Sequence, residues 1–252
     1  MHSLRVRRTI ALVSGSLSTR LESFWTHPRL AELYPEFLFA AHGVICASTP
    51  LLDAAADEAA LRPESDELAR RLAPYLREHA EEEDGHDRWL LDDLERCGIA
   101  RERVLARIPY PSAAALAGAQ HFWLRHVHPV AILGYLAVQN PASPAFLDQI
   151  AERSGLPPAS MSAHMRHARL DVTHVAEFNA MLDTLPLTQH HVDIIATSAI
   201  TAVAHLDAFF ADVLEHFSRI EDETLAQTIF TRMPSPALKP LGASEASSRQ
   251  VM

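Results

Sequence analysis

Proline residues divide this chain into segments of helical length, and this division constrains its fold more than any other feature. The segments between the prolines show almost no sustained alternation of apolar and polar residues, and the chain has only 8 glycines. Signals for strands and hairpins are therefore weak, and the sequence predicts an all-α fold. The dividing prolines are Pro50, Pro63, Pro109 with Pro111, Pro141 with Pro144, Pro157 with Pro158, and Pro186.

Apolar periodicity places long helices between these breaks. We expect a single helical domain at residues 20–232, preceded by a flexible lead-in at 1–19. Residues 233–252 contain Pro, Ser and Ala without apolar periodicity, so we expect a disordered tail there. The predicted helices cover 20–48 with a partial break around Pro35, 65–97, 112–139, 159–184, 188–219 and a short stretch at 222–232, with a further helix within 51–62 as an option.

Charge and composition exclude several classes of function. A formal charge of -10 opposes nucleic-acid binding, which depends on clustered Lys and Arg. The two cysteines, Cys46 and Cys97, are too few for a disulfide framework or a thiolate zinc cage. No stretch approaches the roughly 20 uninterrupted apolar residues that a membrane span needs. We therefore expect a cytoplasmic protein without nucleic-acid or membrane partners.

Histidines are unusually numerous, at 15, and several of them lie on apolar faces of predicted helices. In the helix predicted at 65–97, His79, Glu83 and His86 share a stripe with apolar residues such as Leu72 and Leu76. Their spacing, His-x3-acid-x2-His, confines three side chains to an arc of roughly 60° on a continuous helix. All three are therefore expected to face the core.

The helix predicted at 159–184 repeats this spacing with His167, Asp171 and His174. A buried carboxylate without a partner is costly, and metal coordination between facing helices is one remedy. Imidazole and carboxylate ligands suit iron, manganese or zinc. The sequence therefore predicts a metal site, with iron as the leading candidate.

Other polar residues have simpler interpretations. The remaining charged residues within 81–88, including Glu82 and Asp87, are typical of a solvated helix face. Histidines away from the two stripes are more often surface or core residues than ligands. Among them His42 is the strongest candidate for a further ligand, because it lies in the apolar first long helix.

Three stretches of the sequence resemble a known family. They are residues 79–98, residues 129–138 (PVAILGYLAV), and His167-x3-Asp171-x2-His174. Together they are similar to the haem-oxygenase-like di-iron oxidases and oxygenases, also called iron-containing redox enzymes, over about residues 35–215. The resemblance implies a haem-oxygenase-like multi-helical bundle that binds two Fe²⁺ ions. It also implies activation of dioxygen to oxidise a small molecule such as an amino acid, an amine or a fatty acid.

The resemblance also implies a set of ligands. His86, His167, Asp171 and His174 match the ligand positions of the family. A further glutamate is expected on the His86 helix, and this role falls to Glu83 or to its neighbour at position 82. His79 stands where some members have an acid.

The glutamate expected on the middle helix is missing, because the chain reads Gln139-Asn140 there. A neutral amide binds a metal weakly through one oxygen. We therefore expect the second iron to bind loosely, only with substrate, or not at all. Glu82 or Glu36 could instead supply the third carboxylate.

Two other classes of function stay open. A metal-independent enzyme of the same fold, thiaminase-like or a cofactor-free oxidase, leaves the repeated histidine motif without a role. The thiaminase-like version requires a nucleophilic cysteine, for which Cys46 is the one suitable residue. The other class is a non-catalytic helical protein, for which metal storage would favour exposed acidic clusters and a scaffold would not place ionisable groups on core stripes. Association as a homodimer is also left open.

Overall fold

The computed structural model describes the backbone of residues 2–139 and 142–232, and the side chains within 2–139, 142–170 and 174–220. These residues are almost entirely helical and contain no strand, which confirms the predicted all-α class. Met1–Phe217 form one compact unit, and Ser218–Met252 are a second unit. The contacts that position the candidate site all lie in the first unit.

Eleven α-helices follow one another in the described residues, with 3-10 turns at Pro129–Ala131 and Pro158–Met161. The long helix α3 packs against α4, α5 and α7, while α10 packs against α1, α5 and α9. The helices are α1 (His2–Val13), α2 (Gly15–Trp25), α3 (Leu30–Ala60), α4 (Glu67–Glu83), α5 (His86–Arg96), α6 (Arg101–Ala106), α7 (Pro111–His126), α8 (Ile132–Val138), α9 (Pro144–Ser154), α10 (Ser162–Thr184) and α11 (Gln189–Arg232).

Helix α3 is continuous, although the sequence predicted separate helices at 20–48 and 51–62. It runs through both Pro35 and Pro50. Each proline removes one backbone hydrogen bond, but buried side chains on both sides of them, such as Tyr34, Leu38 and Leu51, hold the helix in the core. Packing therefore overrides the local breaking signal.

The predicted helix at 65–97 is instead two helices, α4 and α5. Helix α4 ends at Glu83, Asp84 is extended with ψ 127°, and Gly85 has φ +81°. The Asp84-Gly85 dipeptide is a turn signal, and glycine adopts positive φ at little cost. The expected 60° arc through positions 79, 83 and 86 is therefore wrong, because no continuous helix joins its members.

Residues 2–13 and 15–19 are helical, whereas the sequence predicted a flexible lead-in at 1–19. Val6 of α1 is 1% exposed within the core. The backbone N–H and the hydroxyl of Ser3 each donate to the Asp183 carboxylate of α10, both at 2.8 Å. The buried side chain of Val6 and the two hydrogen bonds of Ser3 therefore hold this short helix against the rest of the protein.

Other helix boundaries also differ from expectation. Helix α10 agrees with the prediction at 159–184, but the predicted helix at 112–139 is divided into α7 and α8. The helices expected at 188–219 and 222–232 are one helix, α11. The short helices α6 and α9 were not predicted. The expected tail at 233–252 lies outside the described residues.

Two helical stretches, Leu30–Ala60 and Gln189–Ile220, are long and apolar enough to cross a membrane by length and composition. About half of each apolar window is buried inside the protein, at 50% and 44%. The core helices of a soluble protein have the same property, so these stretches are weak evidence for a membrane span.

Helices α8 and α11 approach each other closely at Gly134. A Cβ atom at this position would lie 2.2 Å from the carbonyl oxygen of Ile195 and 2.7 Å from the backbone nitrogen of Ala199. Only a residue without a side chain allows this contact, which seats α8 and the residues that follow it against the bundle.

Candidate metal centre

Asp93 ties together α5 and α10, the two helices that face each other across the site. This residue is fully buried, and its carboxylate accepts hydrogen bonds from the backbone N–H of Ala163 at 2.7 Å and from the hydroxyl of Ser162 at 2.6 Å. Arg96 lies 2.6 Å away and balances the charge. Asp93 therefore caps the N-terminus of α10 from a neighbouring helix and sets the position of α10 along α5.

Glu83, His86 and His167 form a largely buried cluster, which we call the inner group. One possible ligand atom from each residue lies within 4.8 Å of the other two. His86 Nδ1 is 2.9 Å from Glu83 Oε2, and the rings of His86 and His167 are 4.5 Å apart between centroids. Three helices, α4, α5 and α10, thus deliver one oxygen and two nitrogen donors to one point.

His79, Glu82 and His174 form a looser cluster beside it, which we call the outer group. Glu82 Oε2 lies 3.3 Å from His79 Nδ1 and 3.9 Å from His174 Nε2, and the two rings are 6.0 Å apart. The side chain of Glu82 is 45% exposed, whereas that of His86 in the inner group is 4% exposed. The outer group therefore lies on the solvent side of the site.

Protonation states in the inner group suit metal binding. Burial alone would raise the pKa of the Glu83 carboxyl, but the hydrogen bond from His86 and the neighbouring imidazoles outweigh it and lower that pKa. Burial lowers the pKa of His167, against the opposing effect of Glu83. An ionised carboxylate thus stands beside a neutral imidazole, as metal ligation requires.

The ring of His86 is held in a defined orientation. Its Nδ1 faces Glu83, so donation from Nδ1–H leaves the lone pair of Nε2 available to a metal. Trp89 packs against this ring at 3.9 Å between centroids and lies 5.7 Å from the ring of His167. Trp89 therefore covers the inner group with an apolar surface.

A small cavity of about 10 Å³ lies between the two groups and helix α8, with space for about one water molecule. Its lining includes His79, Glu83, Tyr135 and Gln139. The phenol of Tyr135 is hydrogen-bonded to Gln139 and to Ser48, and burial raises the pKa of Tyr135 to about 12. Gln139 thus lies at the edge of the site, where the resemblance led us to expect a carboxylate.

The donor set fits iron. Imidazole nitrogen and carboxylate oxygen in a water-poor setting are typical ligands of iron, and no thiolate belongs to either group. The described residues supply one compact position in the inner group and a looser one in the outer group. The side chain of Asp171, predicted as a ligand on α10, and the whole of Asn140 lie outside the described residues.

Glu36, which the sequence offered as a carboxylate ligand, and His164 both have other partners. Glu36 forms a bidentate ion pair with Arg107 and accepts a hydrogen bond from Tyr110. Because both of its oxygens already have these partners, Glu36 does not supply the third carboxylate. His164 accepts the hydroxyl of Tyr34 at 2.8 Å, and burial lowers the pKa of this imidazole to about 4.

Cys46 is not an activated nucleophile in this structure. Desolvation raises the pKa of its thiol to about 11, with a further contribution from the carboxylate of Asp87. Catalytic cysteines have lowered pKa values, because the thiolate is the reactive form. The environment of Cys46 therefore opposes the thiaminase-like alternative.

Comparison with known proteins gives a consistent result. The model of a family described as iron-containing redox enzyme matches residues 41–208. A domain of unknown function with a haem-oxygenase-like fold from Shewanella denitrificans OS217 superposes with a TM-score of 0.73 at 20% identity, covering 86% of this chain and 94% of that one.

A TenA homologue from Pseudomonas syringae pv. tomato DC3000 superposes with a TM-score of 0.63 at 8% identity, over 84% of this chain and 92% of that one. At such identities these two structures establish the fold alone, which is the predicted haem-oxygenase-like bundle. No curated protein sequence matches the chain.

Proposed function

The chain belongs to the iron-containing redox enzyme family, and from that premise we propose that it is an iron-dependent oxidase or oxygenase of a small molecule. The substrate class we propose is an amino acid, an amine or a fatty acid, with dioxygen as the oxidant. The observation that carries the proposal is the inner group, in which Glu83, His86 and His167 present three donors within 4.8 Å of one another.

Each residue has a distinct part in this proposal. Iron bound here would supply a site for dioxygen and the electrons to reduce it. The inner group would hold one iron, with Glu83 also orienting the ring of His86. The outer group would hold a second iron, and the resemblance adds Asp171 as a ligand of the metal centre. Trp89 would keep water away from the inner group.

The two positions are proposed to differ in affinity. Inner-group residues are largely buried and already in contact, so little side-chain freedom is lost when they bind a metal. The outer group has a half-exposed carboxylate and longer distances between its donors. Gln139 adds no charge to balance a second cation. The first iron is therefore expected to bind more tightly than the second.

Anaerobic titration of the metal-free protein with ferrous iron tests this function. We expect one tight and one weaker equivalent, followed by oxygen consumption and a change in the optical spectrum when oxygen is admitted. His167→Ala should remove the tight equivalent. His126→Ala is the matched control, because His126 is exposed at the end of α7 and belongs to neither group.

Two results would contradict the proposal. One is a protein that binds no ferrous iron in this titration. The other is a His167→Ala variant that retains its circular dichroism spectrum and still binds iron as tightly as the parent. Either result would return the histidine motif to a structural role.

A further inference from the structure

A second cluster of possible ligands lies outside both groups described above. His42 and Cys46 are one turn apart on α3, and Asp87 lies in the first turn of α5. One possible ligand atom from each of the three lies within 4.8 Å of the other two. The cluster brings together one nitrogen, one sulfur and one oxygen donor from two packed helices.

His42 is aimed into this cluster. The residue is 7% exposed, and its Nε2 lies 3.3 Å from the sulfur of Cys46. In a tetrahedral zinc site with Zn–N near 2.0 Å and Zn–S near 2.3 Å, these two atoms would be about 3.5 Å apart. The pair therefore needs a movement of only a few tenths of an ångström to share one ion.

We propose that His42, Cys46 and Asp87 form a binding site for Zn²⁺, separate from the inner group and the outer group. Three protein ligands leave a fourth tetrahedral position for water or another small ligand. The side chain of Cys46 is exposed, so this position can open toward solvent. The site does not depend on the proposed oxidase function.

The sulfur atom separates this site from the iron positions chemically. Thiolate favours the softer Zn²⁺ over Fe²⁺, and Zn²⁺ also stands above Fe²⁺ in the general affinity order of divalent ions. Nitrogen and oxygen donors alone make up the inner and outer groups. The two kinds of site can therefore hold different metals in one molecule.

Asp87 and His86 are consecutive residues, and side chains of consecutive helical residues point about 100° apart. His86 turns toward α10, whereas Asp87 turns toward α3. Zinc at the cluster would link the first turn of α5 to α3 directly beside the Asp84-Gly85 turn. His86 follows this turn directly, so zinc bound to Asp87 would also restrict the movement of His86 in the inner group.

Cobalt titration of the full chain tests the proposal, because Co²⁺ replaces Zn²⁺ and bound thiolate adds an intense near-ultraviolet charge-transfer band. We expect this band in the parent, its loss on adding Zn²⁺, and its absence in Cys46→Ser. Cys97→Ser is the matched control and should keep the band. His42→Ala and Asp87→Asn should weaken Co²⁺ binding by about tenfold or more, as loss of a ligand does.

The outcomes distinguish this site from the iron positions. With no zinc present, Cys46→Ser should bind ferrous iron as the metal-free parent does, so a failure of the proposed function leaves the zinc proposal standing. A parent without the band, or a Cys46→Ser variant that retains it, would reduce the cluster to a hydrogen bond between thiol and imidazole. If the variant does not fold, X-ray absorption of the zinc-loaded parent decides, and a zinc spectrum without a sulfur ligand overturns the proposal.

Discussion

Gln139 and Glu83 line the same small cavity, one at the end of α8 and the other at the end of α4. The carboxylate of Glu83 is ionised beside two imidazoles, and the amide of Gln139 bonds to the phenol of Tyr135. The site thus has a negative side formed by α4 and a neutral side formed by α8. The neutral side lies where the resemblance led us to expect a further carboxylate.

Gln139→Glu should raise the affinity for the second iron by roughly tenfold, because a carboxylate adds charge and a second oxygen donor. Anaerobic titration with ferrous iron measures the effect. Gln149→Glu, on the exposed face of α9, is the control and should not change iron binding. Unchanged affinity in Gln139→Glu would contradict the assignment of this position to Gln139, and Asn140→Glu would then be the substitution to test.

Glu83→Gln should weaken the tight iron by about 10–100-fold, since the variant loses a charged donor and the acceptor that orients His86. The dissociation constant from the same titration reports the change. Glu78→Gln, an exposed substitution on the same helix, should leave the constant unaltered. Equal constants for both variants would show that Glu83 neither binds iron nor positions its neighbour.

Asp93→Ala should lower the free energy of unfolding by about 2–4 kcal/mol, because the N-terminus of α10 loses its cap and Arg96 loses its partner. Urea denaturation measures the loss. Asp92→Ala removes an exposed ion pair with Arg101 and should cost less than about 1 kcal/mol. If the two variants are equally stable, Asp93 does not anchor α10.

Gly134→Ala should lower the free energy of unfolding by about 1–3 kcal/mol, because the added methyl group would collide with the backbone of α11. Gly118→Ala is the matched control, since nothing lies within 4 Å of its added Cβ. Alanine in the middle of α7 should stabilise the protein by about 0.5–1 kcal/mol. In urea denaturation the two substitutions should therefore change the free energy of unfolding in opposite directions.

Acid should destabilise the metal-free protein through His164. Its pKa is about 4 in the folded state against 6.5 for an unperturbed histidine, so the unfolded chain binds the extra proton between these values. The free energy of unfolding therefore falls as pH falls from 6.5 to 4, by up to about 3 kcal/mol. Urea denaturation at several pH values measures this dependence. In His164→Gln the free energy of unfolding should change less with pH than in the parent, and an equal change in both proteins would contradict the assignment.

The fold class and one helix of the site could be predicted well from the sequence. Helix α10 carries its apolar stripe without interruption, so periodicity alone located it. Periodicity failed between Glu83 and His86, because the Asp84-Gly85 turn resets the helical phase. The direction in which His86 points depends on this turn, which a count of residues along a helix does not include.

Residues of the second cluster show the other limit of prediction from sequence. The spacing of His42 and Cys46 is a detectable signal, because residues four apart lie on one helix face. Asp87 could not be assigned to them, since its place depends on how α5 packs against α3. Likewise the charge pattern assigned Glu82 to a solvated face, and only the resemblance offered it as a ligand, yet its carboxylate lies between two histidines of the outer group.

Glu82 and Glu83 occupy adjacent positions on a single helix but serve different clusters. Their side chains leave α4 about 100° apart, so any twist of this helix about its axis displaces both carboxylates together. Neither cluster can therefore be adjusted in isolation by moving α4. The last turn of α4 therefore couples the two clusters, because a metal that rotates this turn on binding one carboxylate also moves the other.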